Sequence, residues 1–198
     1  MGKSILFFGK LILFGYVALT DALAQRISNI ELTDAVSGEV FLWENHRSAK
    51  GVVLIFSSLT CPFSRLYEGR IAELYEEFAP QGVVFALVNP HVSLEPSESQ
   101  ENMAKVATEK QYPMPFLMDT HQLLTDYLKV TKIPEAVVIT NGPTGYAVVY
   151  QGAIDNNPQS PDSAQMKYLD NALTNVLARR SPSPANTRAV GCNVKQIR

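Results

Sequence analysis

Residues Val52 to Ser64, reading Val-Val-Leu-Ile-Phe-Ser-Ser-Leu-Thr-Cys-Pro-Phe-Ser, constrain this chain more than any other stretch. Val52 to Phe56 is an unbroken apolar run of β-branched and aromatic residues, the pattern of a strand buried on both faces. A short polar turn leads to Cys61 and then Pro62, and proline is favoured at the first helical position. Tyr67, Ile71, Leu74 and Phe78 then recur at spacings of four, three and four, which makes one apolar helical face. The pattern predicts a cysteine held where a buried strand stops and a helix starts. A helix N-terminus favours negative charge, so the thiol pKa is expected below its ordinary value of about 8.5. Cys61 is therefore the candidate nucleophile. The bland alternative is an inert buried thiol, or one half of a structural disulfide.

Residues 1–24 read as an export signal, with Lys3 at the start, Leu11 to Leu19 as the apolar core and Ala22-Leu23-Ala24 as the cleavage site. Lys10 and Asp21 interrupt the roughly 20 apolar residues that a spanning helix needs, which argues against an uncleaved anchor. No cysteine follows the cleavage site to carry a lipid. The expectation is an exported protein, periplasmic or extracellular, with no stable membrane insertion after cleavage. Residues 25–180 then suit one domain, and residues 181–198 form an extended tail carrying Cys192. A net charge of −2 gives no footing for nucleic acid, whose binders carry basic patches.

Along that domain, Ile30 to Asp34 and Val40 to Trp43 read as short strands around a Ser37-Gly38 turn. Gly82 stops the first helix, and Val83 to Val88 is a second buried strand. Ser97 with Gln100 predicts a capped helix running to about Lys110, and Asp119 with Gln122 a shorter one through Leu128. Glu135 to Thr140 and Tyr146 to Tyr150 read as a hairpin. The last helix spans Gln165 to Ala178, with Met166, Leu169, Leu173 and Leu177 on one face. Ser181 to Thr187 is a stiff, proline-rich linker.

Strand, cysteine, Pro-x-Ser and helix together resemble the thioredoxin-like superfamily. The wider chain is similar to its redoxin branch, near the alkyl hydroperoxide reductase/thiol-specific antioxidant (AhpC/TSA) and TlpA-type proteins. The segments that carry this are Val88-Asn89-Pro90, Lys132-Ile133-Pro134-Glu135, residues 152–158 (Gly-Ala-Ile-Asp-Asn-Asn-Pro) and residues 189–195 (Ala-Val-Gly-Cys-Asn-Val-Lys). The resemblance implies an α/β three-layer sandwich, a mixed central sheet with helices on both faces, an N-terminal strand extension and an extended C-terminal arm. It also implies that Pro134 is a cis-proline facing the redox cysteine, which leaves the backbone of Ile133 to pair with an extended partner segment. Thr60, Pro62, Ile133 and Pro134 would border the substrate. No cofactor and no metal are implied.

Where thioredoxin has Cys-x-x-Cys, this chain has Cys61-Pro-Phe-Ser64, so the local disulfide cannot form. Ser64 is expected to donate a hydrogen bond to the Cys61 sulfur, but it cannot resolve a mixed disulfide. The peroxiredoxin pattern, with Pro seven and Thr or Ser three residues before the nucleophile, is half met: Ser58 fits and Leu54 does not. Thioredoxin's buried acid has no counterpart in Val52 to Phe56. The motif is also similar to that of monothiol glutaredoxins, although the export signal argues against a cytosolic iron–sulfur carrier. His46, His91 and His121 share no metal-ligand spacing with the cysteines and are assigned surface or capping roles.

The tail can bring Cys192 to Cys61. The extended path from Arg180 reaches roughly 37 Å, against a radius of gyration of about 16 Å for a domain of this size. The leading expectation is an exported thiol oxidoreductase working through Cys61, with Cys192 as its resolving partner, on a protein thiol or disulfide or on a small peroxide. The competing class is a redox-inactive binding module that keeps the groove around Pro134 and uses a Cys61–Cys192 bridge for stability.

Overall fold

The computed structural model describes residues 27–197, so the expected export signal lies outside the described residues. In chain order the elements are β1 (Leu32–Asp34), β2 (Val40–Phe41), β3 (Gly51–Phe56), α1 (Pro62–Phe78), β4 (Val83–Asn89), α2 (Gln100–Glu109) and β5 (Phe116–Met118). They continue with α3 (Leu123–Leu128), β6 (Lys132–Ile133), β7 (Glu135–Gly142), β8 (Gly145–Gly152), α4 (Tyr168–Leu177) and β9 (Cys192–Asn193). Seven strands form one mixed sheet in the order β2-β1-β5-β4-β3-β7-β8, and β6 pairs separately with β9. This is the α/β thioredoxin-like sandwich that the resemblance implied.

The apolar run beginning at Val52 lies in the sheet interior. Every residue of β3 is buried, with β4 parallel on one side and β7 antiparallel on the other. Alternate residues feed two apolar layers. Val53 and Ile55 join a cluster under α1, α2 and α4, while Val52, Leu54 and Phe56 join one with α3, Phe41 and Trp43. Strands buried on both faces need such cover on both.

The helix face read from the sequence is the one α1 buries, through Tyr67, Ile71, Leu74 and Phe78. Several boundaries differ from expectation: β1 begins at Leu32, β2 stops at Phe41 with Trp43 in a following 3-10 turn (Trp43–His46), and α2 and α4 start later. α2 is capped by Ser99, whose side chain accepts the Asn102 N–H, while Ser97 sits in a preceding 3-10 turn, Pro96–Glu98. Ser99 has Asn102 and not Glu or Gln three residues on, so it lacks the capping-box pattern that Ser97 shows, and the turn at Pro96 moves the start of the helix past Ser97. α4 begins at Tyr168, because the main chain on either side of it is tied to residues 154–156 through the Asn156–Met166 and Leu169–Ile154 bonds.

A buried ion pair holds α1 in place. Arg70 pairs with Asp155, donates to the carbonyls of Asn157 and Pro158 at 2.8 Å each, and lies over the Tyr67 ring at 3.9 Å. Tyr67 donates to the other Asp155 oxygen at 2.9 Å, and burial together with that bond raises the phenol's pKa. The 152–158 segment is thereby stapled to the helix that Cys61 caps. Asp155→Ala leaves the guanidinium buried without its counter-charge, so urea unfolding at neutral pH is expected to show a loss of about 3–5 kcal/mol. A loss near that of an exposed pair would contradict this role.

Candidate functional site

Cys61 is the N-cap residue of α1, in extended conformation, with Pro62 at the first helical position. Its side chain is 3% exposed, while Thr60 and Pro62 on either side are exposed. Ser57 continues the sheet ladder to Val88, so the three residues Ser58, Leu59 and Thr60 carry the chain from strand to helix.

Those three residues are organised by one carboxylate. Glu98, fully buried, accepts hydrogen bonds from the Ser58 hydroxyl, the Leu59 N–H and the Thr60 N–H at 2.8 Å each. It also accepts from the Thr60 hydroxyl at 2.6 Å and from Asn89 Nδ2 at 2.8 Å. Burial alone would push its pKa up, but the bonds from Thr60, Leu59 and Ser58 outweigh that and hold it below the ordinary value. Glu98 stays ionised and fastens the loop before Cys61 to the end of β4. A buried acid therefore holds the loop that leads to this cysteine, and it comes from the turn before α2 and not from β3. The sequence offered little signal for it, since the groups it binds lie 38 to 40 positions away in the 58–60 loop.

Ser64 is buried, and its hydroxyl oxygen accepts the Ser58 N–H at 3.2 Å. Among the described residues its bond is to this loop and not to the Cys61 sulfur.

On the far side of Cys61 stands Ile133, joined to Pro134 by a cis peptide bond. The Ile133 carbonyl lies 3.4 Å from Cys61 Sγ. β9 runs antiparallel to β6, with Ile133 opposite Cys192 and Lys132 opposite Asn193. Cys61 and Cys192 form a disulfide with Cα atoms 6.1 Å apart, so the Sγ–carbonyl contact becomes a thiol hydrogen bond only on reduction. Gly191 fits because it has no side chain: a Cβ there would sit 1.9 Å from the Ile133 oxygen.

The arm beyond Cys192 is bound step by step. Val194 N–H donates to Thr131 O at 3.0 Å, and Lys195 N–H to His91 Nε2 at 2.9 Å. Gln122 Nε2 donates to Lys195 O at 2.6 Å, and its Oε1 accepts Ile197 N–H at 2.9 Å. Lys195 Nζ pairs with Glu95 at 2.5 Å. His91 is thus not a surface residue. It is 3% exposed and accepts through Nε2, and burial lowers its pKa, which favours the neutral ring that this bond requires. Gln122, expected in a capping pair, instead reads the arm. Asp119 alone caps α3, accepting from Leu124 N and Thr125 N.

Among the described residues no group of three or more His, Cys, Asp or Glu side chains could hold a metal, and no helix is long and apolar enough to cross a membrane. Cys61, Cys192, Ile133 and Pro134 meet at one point, Thr60 and Pro62 lie on its rim, and Ser64 supports the loop behind it.

Glu98→Gln places an NH₂ among donors. It is expected to cost about 3 kcal/mol in urea unfolding near pH 7. The carboxyl's folded pKa lies below its ordinary 4.5. Its contribution is therefore full above that value and is lost as pH falls through the folded pKa. The Glu98→Gln protein should show a shallower acid-side decline; an unchanged slope would mean that Glu98 does not titrate in this way.

The AhpC/TSA family profile matches residues 23–154. No curated protein matches the chain. Among solved structures, an uncharacterised conserved protein from Geobacillus kaustophilus is 26% identical, with a TM-score of 0.76 over 85% of this chain and 88% of that one. A hypothetical protein from Sinorhizobium meliloti is 22% identical, with a TM-score of 0.75 over 85% and 91%. The peroxidoxin BcpB from Mycobacterium tuberculosis is 22% identical, with a TM-score of 0.54 over 77% and 94%. The last two likenesses are of fold.

Proposed function

Because the chain belongs to the AhpC/TSA family, we propose that it is an exported thiol–disulfide oxidoreductase in which Cys61 attacks and Cys192 resolves. The observation that carries this reading is the seat of the arm: Cys192 lies opposite Ile133, beside Pro134, bonded to Cys61. In the reduced chain the Cys61 thiolate, favoured at the start of α1, attacks one sulfur of a partner disulfide and the other partner sulfur leaves as thiolate. Cys192 thiolate then attacks Cys61 Sγ, the Cys61–Cys192 bond forms and the first partner sulfur leaves. Two electrons pass from the dithiol to the partner. Export rests on residues 1–24, and an oxidising compartment is where such a disulfide persists.

Peroxide is the less favoured substrate. The Ser58 hydroxyl, at the peroxiredoxin-like position, donates its hydrogen bond to Glu98, and Leu54 stands where that pattern has proline. The burial of Cys61 favours a second reading, a structural bridge in a binding module. A reduction potential below about −300 mV would mark that structural bond.

Reduced protein mixed with 5,5′-dithiobis(2-nitrobenzoate) separates the two. The wild type is expected to release two nitrothiobenzoates per chain and return to the Cys61–Cys192 disulfide. Cys192→Ser should release one and stop as a mixed disulfide on Cys61, and Cys61→Ser should lose the fast phase. Cys61 that stays unreactive while reduced and folded sinks the proposal.

A further inference from the structure

The arm lies in the cleft as a bound peptide would, and its contacts divide into two kinds. Those from Thr131, His91, Gln122 and Ile133 go to the arm's main chain, so they would hold any extended segment. Side-chain selection falls at three steps counted from the cysteine. The residue before it must be glycine, since the Ile133 oxygen occupies the place of a Cβ. The second residue after it, Val194, is 9% exposed and joins the apolar layer containing Cys61 and Ile133. The third, Lys195, meets Glu95. Asn193, directly after the cysteine, is exposed, and its side-chain oxygen accepts from Lys132 Nζ.

We infer that the cleft selects protein disulfides whose reacting cysteine sits in an extended Gly-Cys-x-apolar-basic segment, of which the arm is a built-in copy. The inference rests on the exchange chemistry proposed for Cys61 and names its substrate class. In the reduced chain the arm leaves, and the partner segment takes the same pairing with Ile133 and the same bonds to His91 and Gln122. Cys61 thiolate attacks the segment's sulfur and the partner's second sulfur departs as thiolate. When Cys192 attacks Cys61 Sγ, the arm takes back its main-chain bonds and the segment leaves as a thiol. Resolution and product release are one competition for one strand position.

The test uses reduced full-length protein carrying Cys192→Ser. The probes are synthetic peptides of residues 189–196, each with its cysteine as the mixed disulfide with nitrothiobenzoate. Competition from the chain's own arm scales every rate alike, so ratios between peptides stand. The arm sequence is expected to react fastest and to give a covalent adduct one peptide mass above the chain. Peptides with Gly191→Ala or Val194→Asp should be slower by roughly tenfold or more, from a clash and from a buried charge. A peptide with Lys195→Glu should be slower by about three- to fivefold and recover on protein carrying Glu95→Lys. Peptide rates within twofold of one another, on protein that reacts with the small reagent, overturn the selectivity and leave the exchange reaction standing. Failure with the small reagent as well removes both. A disulfide-linked dimer of the chain as the only product also overturns it.

Discussion

The meeting of the C-terminal arm with the start of α1 governs how this structure presents its cysteine. A bond between residues 131 positions apart closes most of the domain into one loop. In the chain-entropy account, such a closure is worth nearly 5 kcal/mol. The arm does not rely on the covalent bond alone. Thr187 is tied to the end of β8 through Gln151, Tyr150 and Ala153, and residues 194–197 are tied to Thr131, His91 and Gln122. The disulfide therefore joins parts that noncovalent contacts also align, and reduction leaves residues 191–197 held by those contacts alone, downstream of the anchor at Thr187. That is the condition under which a tail can leave a cleft and return to it.

Beside this junction two buried polar clusters interrupt the apolar interior. Glu98 collects five donors from Ser58, Leu59, Thr60 and Asn89, and Arg70 with Asp155 and Tyr67 fastens α1 to the chain after β8. Buried charges of this kind are favourable only when their partners are complete. What they supply is position. The first set places the loop entering Cys61, and the second places the helix that Cys61 caps. The residue sits between two fixed bodies while Thr60 and Pro62 remain open to solvent.

The fold was legible in hydrophobic period. β3, β4 and the face of α1 each stood out as a run or a repeat, because burial on both sides of a strand or on one side of a helix leaves that mark. The hairpin β7–β8 was visible for the same reason, with Gly142 and Gly145 at its turn. Caps were less secure: Ser97 carries the capping-box pattern with Gln100, yet the turn at Pro96 takes up Ser97 and the cap is Ser99, which lacks that pattern. His91 and Gln122 were misread because their partners lie 104 and 73 or more positions away, in a tail with no periodic pattern.

By itself the sequence determined that a cysteine would stand at the junction of a buried strand and a helix, because that placement follows from neighbours within a few turns of chain. The tail's reach to that cysteine was also set there, by the length and stiffness of residues 181–192. Tertiary structure alone decided what surrounds the sulfur. Glu98, 37 positions away, fixes the loop before the cysteine, while Ile133 and Cys192, 72 and 131 positions away, reach the sulfur through the β6–β9 pair, which is separate from the seven-stranded sheet. Hydrophobic patterning specifies which faces are buried, and it carries no record of which polar groups that burial will bring together.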